Sequence, residues 1–215
     1  MGLRSRVCAF TYDKQMASSE RAGLSEMRAR LLADAAGDVL EVGAGTGLNL
    51  PRYGTAVERI TLTEPDPSML RRLERAAAQS ELNTTVLRAP AEDLPFEDAT
   101  FDTVVCALVL CGVADQPRAV REMRRVLKPD GRLLLLEHVR SDNERVARRQ
   151  DRMVWLSRLV GRCDCNRPTQ QTLERGGFSI EGVASGEFPK APSFVRPLIV
   201  GAATPHPLGA TTPGH

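Results

Sequence analysis

The stretch Val39-Leu40-Glu41-Val42-Gly43-Ala44-Gly45-Thr46-Gly47 constrains this chain more than any other. An apolar run carries an acid and gives way to three glycines at alternate positions. That is the layout of a buried strand that stops at a ligand. Glycine is needed where backbone turns tightly and approaches another group closely, because a Cβ would clash. Main-chain amides after such a turn favour polar or anionic ligand groups. Glycine-rich loops are common, so the meaning of this one depends on the residues placed at set distances beyond it.

Those residues alternate regularly between helical and strand patterns. Residues 10–32 read as helical, with Ala17, Ala22, Leu24, Met27, Leu31 and Leu32 on one stripe and a break near Ser19 or Ser25. This N-terminal helical cap (1–36) either packs on the domain edge or folds Tyr12 and Lys14 over a ligand as a lid. Val39–Val42 is the first strand. A helix is expected from Gly47 or Leu48, with Pro51 in its first turn. Strands are expected at 60–63, 84–87, 101–107, 133–136, 178–183 and 194–201. Helices are expected at 67–79 behind Asp66 or Ser68, at 116–127 behind Asp115, at 143–160, and at 169–175 behind Thr169. Lys128-Pro129-Asp130-Gly131 reads as a turn. Residues 203–215, rich in Pro, Gly, Thr and His, read as a disordered tail, which leaves 37–202 as the main domain.

Strands alternating with helices predict a doubly wound, mostly parallel α/β sheet in a single domain. In such a sheet ligands sit beyond the carboxyl ends of the strands, where strand order reverses. Glu41 with the glycine turn, Glu64, and the region around Cys106 fall there. Glu64 lies seventeen positions after Gly47, where a carboxylate accepts both hydroxyls of a ribose. A net charge of +2 lacks the basic footprint of a nucleic-acid binder. No apolar run approaches the ~18 residues of a membrane span, and the basic Met1-Gly2-Leu3-Arg4-Ser5-Arg6 start lacks a signal-peptide core. Five irregularly spaced cysteines do not read as a disulfide framework. A cytoplasmic protein without stable membrane insertion is expected, its oligomeric state open.

The glycine spacing separates cofactors. A dinucleotide fingerprint is G-x-G-x-x-G, and the third glycine would fall on Leu48. The pattern Glu41-x-Gly43-x-Gly45-x-Gly47 instead resembles the class I methyltransferases that use S-adenosylmethionine (SAM). Ala91-Glu92-Asp93-Leu94-Pro95-Phe96 followed by Phe101-Asp102, and Arg124-Arg125-Val126-Leu127-Lys128-Pro129-Asp130-Gly131, extend that resemblance from about Ala33 to His138. It implies a Rossmann-like sheet of seven strands, the last antiparallel. It also implies that Gly43, Ala44, Gly45 and Gly47 pass the methionine part of SAM and that Glu41 orients its amino end. Glu64 would hold the ribose, Pro65 and Met69 would flank the adenine, and Ala91 and Glu92 would border it. Cys106 and Leu108 to Leu110 would line the cleft, with Tyr12 above.

The acceptor side is less defined. No Asn/Asp-Pro-Pro-aromatic motif comes after the fourth expected strand, which disfavours DNA amino groups, and no appended substrate domain is expected. A small acceptor is expected. Tyr12-Asp13-Lys14-Gln15-Met16-Ala17, Glu137-His138-Val139, Gly161 to Arg167 and Phe194-Val195-Arg196-Pro197 are similar to a branch that includes small-molecule thiol methyltransferases. Neighbouring branches methylate quinones, phenols or lipid amines, and a non-catalytic SAM-binding module is the reading from a different class. A thiol needs only modest help to ionise, and His138 is the candidate base, ahead of Asp164 and Asp151. Cys163-x-Cys165 lacks the spacing and partners of a zinc site, so no metal is expected. Trp155 and Leu156 are candidates for the acceptor wall.

Overall fold

Leu133, Leu134, Leu135 and Leu136 are all fully buried, which requires a strand covered on both faces. The computed structural model describes residues 12–14, 16–161 and 163–206. Successive side chains of a strand point to opposite faces. Leu133 and Leu135 therefore join Leu40, Val42, Val104 and Cys106 in one core layer. Leu134 and Leu136 join Val39 and Val105 in the other. Burying each leucine stabilises the fold by roughly 1.5–3 kcal/mol.

Seven strands build the sheet: β1 (Gly37–Val42), β2 (Val57–Thr63), β3 (Thr84–Leu87), β4 (Phe101–Ala107), β5 (Leu127–His138), β6 (Phe178–Glu187) and β7 (Pro197–Pro205). Their order is β3-β2-β1-β4-β5-β7-β6. β1 to β5 pair parallel, and β7 pairs antiparallel with both β5 and β6. This is the doubly wound, mostly parallel sheet expected, with β7 the reversed strand. Order reverses between β1 and β4, so the crevice opens above their carboxyl ends.

The helices are α1 (Ser25–Leu32), α2 (Pro67–Ala77), α3 (Gln116–Val126), α4 (Glu144–Gly161) and α5 (Thr169–Arg175). Short polar side chains start α2, α3 and α4 by satisfying free amides. Asp66 Oδ1 accepts from Ser68 N at 2.8 Å, Asp115 Oδ1 from Arg118 N at 3.0 Å, and Asn143 Oδ1 from Arg145 N at 3.0 Å. Ala119, Val120, Met123 and Val126 of α3 are fully buried on the sheet. Ahead of α1 the chain is helical at 12–14 and 16–19. It then passes through a wider turn, Glu20–Leu24, that kinks at Gly23. Leu24, Leu31 and Leu32 pack this region into the core layer of Val39, Leu134 and Leu136, with α1 lying against β5 and β7.

Four expectations need correction. No α-helix succeeds the glycine turn: the chain makes a single 3₁₀ turn, Leu50–Arg52, before β2. Gly47 has φ +86°, outside the helical region, so a helix cannot run through it. β7 runs past residue 202 to Pro205 because Ala202 and Ala203 pair with Leu134 and Leu133 of β5, and His206 N reaches Gly177 O at 2.8 Å. The small residues that read as a tail find their hydrogen bonds in a neighbouring strand; residues 207–215 lie outside the described residues. Lys128 to Gly131 form a bulge inside β5, between the pairs Phe101–Leu127 and Thr103–Arg132. Thr169 is the first residue of α5 and does not cap it; its hydroxyl donates to His138 O at 3.4 Å. No helix among the described residues is long and apolar enough to cross a membrane.

Candidate active site

β1 delivers the chain to the crevice, and the glycine turn begins where it ends. Gly43 has φ +64° and Gly45 φ +61°, conformations that cost other residues about 1–2 kcal/mol. A Cβ on Gly43 would lie 2.7 Å from Val109 Cγ2, so this glycine lets the turn close onto the loop after β4. A Cβ on Gly45 would meet nothing within 4 Å; there the turn faces open space that a ligand can take. Gly47 instead packs on α2, where a Cβ would lie 3.0 Å from that of Ala76.

Beneath the turn lies a small polar cavity of about 40 Å³, lined by Glu41, Ala44, Gly45, Asn49 and Arg28. Glu41 is buried. It accepts from Asn49 Nδ2 at 2.8 Å and from the Tyr53 hydroxyl at 2.7 Å, and burial raises its pKa above the usual carboxylate range. Arg28, 4% exposed, donates to Asn49 Oδ1 at 2.9 Å and to Glu20 at 2.9 Å. A buried guanidinium and a buried carboxylate thus face one small space.

The large cavity, about 770 Å³, runs from Gly45, Glu64 and Met69 at one end to His138, Phe188 and Cys163 at the other. At the first end Glu64 Oε2 accepts the Gly45 amide at 3.0 Å, and Oε1 accepts the Asp66 amide at 2.8 Å. Pro65 lies beside them in the same wall. Tyr12 borders both cavities. Asp13 fastens its helix over the turn by accepting the Thr46 hydroxyl at 2.7 Å and pairing with Arg72 of α2. Leu108 also borders both cavities and sits at φ 62°, a strained conformation of the kind that clusters at functional sites.

At the other end His138 is 6% exposed, its ring 4.9 Å from that of Phe188. Its Nδ1 has no hydrogen-bond partner among the described residues, and burial pushes its pKa down to about 4. The imidazole is therefore neutral. Its neighbour Glu137 is fully buried. Glu137 Oε1 accepts the amides of Val109 at 2.7 Å and Leu110 at 3.1 Å and the Cys106 thiol at 3.3 Å. Its Oε2 has no partner among the described residues, and burial raises the group to about 7.

Most of the anticipated site comes together: Tyr12, Gly43, Gly45, Glu64, Pro65, Met69 and His138 border the large cavity, Glu41 and Ala44 the small one. Gly47, Ala91, Glu92 and Cys106 border neither. Cys106 shares its face with Val42 and Val104 and points into the core under α3. Glu92 Oε1 accepts the amides of Ala114 at 2.8 Å and Asp115 at 3.3 Å, bracing the loop into α3. Lys14 is exposed. Leu156 of α4 joins the large cavity, whereas Trp155 is 59% exposed. Arg28, Asn49 and Glu137 were not foreseen. Arg28 lies on the helix stripe with Leu24, Leu31 and Leu32, and a charge on an apolar stripe was the available sign. Glu137 directly succeeds four buried leucines.

A seven-stranded sheet with β7 reversed, a glycine turn after β1 and an acid ending β2 define the class I SAM-dependent methyltransferase architecture. The chain belongs to that family. Residues 40–135 match the Methyltransf_11 family, described as a methyltransferase domain. Human thiol S-methyltransferase TMT1A is 31% identical over 198 residues, covering 89% of this chain and 80% of that protein. The ubiquinone/menaquinone biosynthesis C-methyltransferase UbiE of Hahella chejuensis is 34% identical over 70% of this chain and 56% of its own. Among solved structures, a SAM-dependent methyltransferase from Thermotoga maritima superposes with a TM-score of 0.67 at 22% identity, covering 92% of this chain and 97% of that one. Methyl transfer is thus the reaction and SAM the cofactor. The residues fit that group: open space over Gly45, a carboxyl just after β2, and a buried carboxyl and guanidinium lining one small polar cavity.

Proposed function

We propose that the protein S-methylates small, largely apolar thiols seated in the large cavity beside His138. The observation that carries this reading is the His138 imidazole, kept neutral by burial, in the wall of a cavity lined mainly by carbon. A thiol has a pKa of about 8.5. Moving its proton to a base of about 4 costs about 6 kcal/mol at 1.36 kcal/mol per unit. Attraction between the resulting thiolate and imidazolium at ~4 Å returns about 4 kcal/mol at an effective dielectric of 20. The remainder is small against a methyl-transfer barrier. His138 takes the thiol proton on its imidazole, and Leu156, Phe188 and Phe194 keep water from the sulfur, which preserves its nucleophilicity.

Bound SAM supplies an electrophilic methyl group on a sulfonium. The chain's task is alignment. In this reading Glu41 and Arg28 hold the ammonium and carboxylate of the amino-acid end, with Gly43, Ala44 and Gly45 beside it. Glu64 takes the ribose hydroxyls, and Pro65 and Met69 flank the adenine. Ala91 and Glu92 shape the adenine edge through the loop that Glu92 braces, and Tyr12 closes over the site. A reducing compartment such as the cytoplasm, where acceptor thiols stay free, suits this chemistry. The thiol activity of the human relative supports it.

A panel of thiols, phenols, quinones and amines with labelled SAM tests the reading. Label in thioethers is expected. Methylation of quinones with thiols untouched would overturn it in favour of the second reading, which the aromatic wall of Phe188 and Phe194 supports.

A further inference from the structure

Two thiols with no part in methyl transfer meet in the wall of the large cavity. Cys111 lies in the loop after β4 and is buried; Cys163 lies between α4 and α5 and is half-buried. Both border the cavity, and Cys163 is the strongest electrostatic influence on the Cys111 thiol. The two segments are pinned together. Asp164 N donates to Cys111 O at 2.8 Å. Arg167 donates to Leu110 O at 3.1 Å, to Val113 O at 2.8 Å and to the Asp164 carboxylate at 2.9 Å. A disulfide needs Cα atoms about 4.4–6.8 Å apart, and the bond from Asp164 N to Cys111 O sets the two segments side by side one residue from Cys163. The other described cysteines are occupied elsewhere: Cys106 donates to Glu137, and Cys165 contacts the Ser157 hydroxyl at 3.7 Å.

We propose that Cys111 and Cys163 form a dithiol–disulfide couple, oxidised by small-molecule disulfides that enter the cavity, and that the oxidised form closes the acceptor site. The second clause rests on reading this cavity as the acceptor site. Cys163 is the more exposed thiol and is the point of entry. Its thiolate attacks one sulfur of a disulfide RSSR; the S–S bond breaks, RS⁻ leaves and takes up the proton that Cys163 released. Cys111 sulfur then attacks the Cys163 sulfur of the mixed disulfide, and its proton goes to the second departing RS⁻. The protein dithiol is oxidised and RSSR is reduced to two RSH. Cys163 and burial hold the Cys111 thiol well above its usual pKa, so Cys111 stays protonated until a leaving thiolate can accept its proton. A free thiol in excess reverses both exchanges. The couple therefore reports whether the acceptor pool is reduced and usable.

The test treats the full chain with bis(2-hydroxyethyl) disulfide. Digestion under non-reducing conditions followed by mass spectrometry reads the bridge. Labelled SAM reads transfer, and calorimetry reads SAM binding. Expected are a Cys111–Cys163 bridged peptide lighter by two hydrogens, loss of most transfer, retained SAM binding, and recovery on reduction with a phosphine. Cys163→Ser, compared with its own untreated rate, should keep its transfer after the same treatment; Cys111→Ser serves if that variant does not fold. Recovery of both cysteines unbridged overturns the couple. A bridged protein with full transfer, or equal inactivation of the serine variant, overturns the closing role. Because the bridge is read by mass, failure of the thiol-acceptor reading is distinguishable; closure is then measured with whichever acceptor the panel identifies.

Discussion

Glu137 Oε1 accepts the Val109 amide at 2.7 Å, tying the end of β5 to the loop that closes on the glycine turn. The carboxyl is raised to about 7 by burial, while the adjacent His138 is lowered to about 4. Glu137's folded value lies above its unfolded one, so its contribution to stability is complete below about pH 4.5 and is lost as pH rises toward 7. His138's lies below, so its contribution is complete above about pH 6.5 and is lost as pH falls toward 4. Between about pH 4.5 and 6.5 the two slopes oppose. Glu137→Gln keeps the acceptor oxygen and removes one slope. Urea unfolding of that variant should show stability rising with pH across this window by up to about 1.4 kcal/mol per unit, where the parent is nearly flat. Matching profiles would refute the assignment.

Gly43 and Gly45 should separate stability from binding. Gly43→Ala combines a left-handed backbone with overlap on Val109 and should cost about 2–4 kcal/mol of stability. Gly45→Ala carries only the backbone term, about 1 kcal/mol, but its methyl fills the space over the turn. Calorimetric SAM affinity of Gly45→Ala should fall at least about tenfold in a protein that still melts cooperatively.

Arg28→Met should weaken SAM by about 1.5–3 kcal/mol, the worth of a charged hydrogen bond, while leaving the affinity of decarboxylated SAM less affected. Equal losses for both ligands would mean that Arg28 acts only through Glu20 and Asn49. Glu64→Ala should weaken both ligands alike, because the ribose is common to them.

For thiol acceptors, kcat/KM should stay nearly flat from pH 6 to 8, with no inflection from His138, since the imidazole is neutral there and takes the proton of a thiol that is still protonated. His138→Ala should lower kcat/KM most at the acid end and converge toward the parent once the thiol ionises unaided. A uniform drop at every pH would point to packing against Phe188 instead.

Much of this was legible because it is local. Asp66 and Asp115 announce their helices, and four consecutive leucines announce a strand covered twice. The misreadings arise where a distant partner decides. Cys106 belongs to a strand apolar on both faces, so sequence parity does not say which face meets the cleft. Glu92 looked like a ligand contact, but loop amides take its carboxylate. Pro51 suits a helix start as well as a 3₁₀ turn. Residues 203–205 read as tail until β5 and β6 supply their partners. Glu137 and Arg28 stood in apolar surroundings, and there a charge is itself the sign of a site.

Trp155 is the chain's single tryptophan, and it stands in solvent on α4 beside Leu156, which borders the acceptor end of the large cavity. Its indole emission is therefore an optical probe that needs no labelling. A bound acceptor that shifts α4 should change that emission, whereas SAM seated by the glycine turn should leave it unaltered. The two halves of the site can then be titrated separately in one cuvette, by light alone.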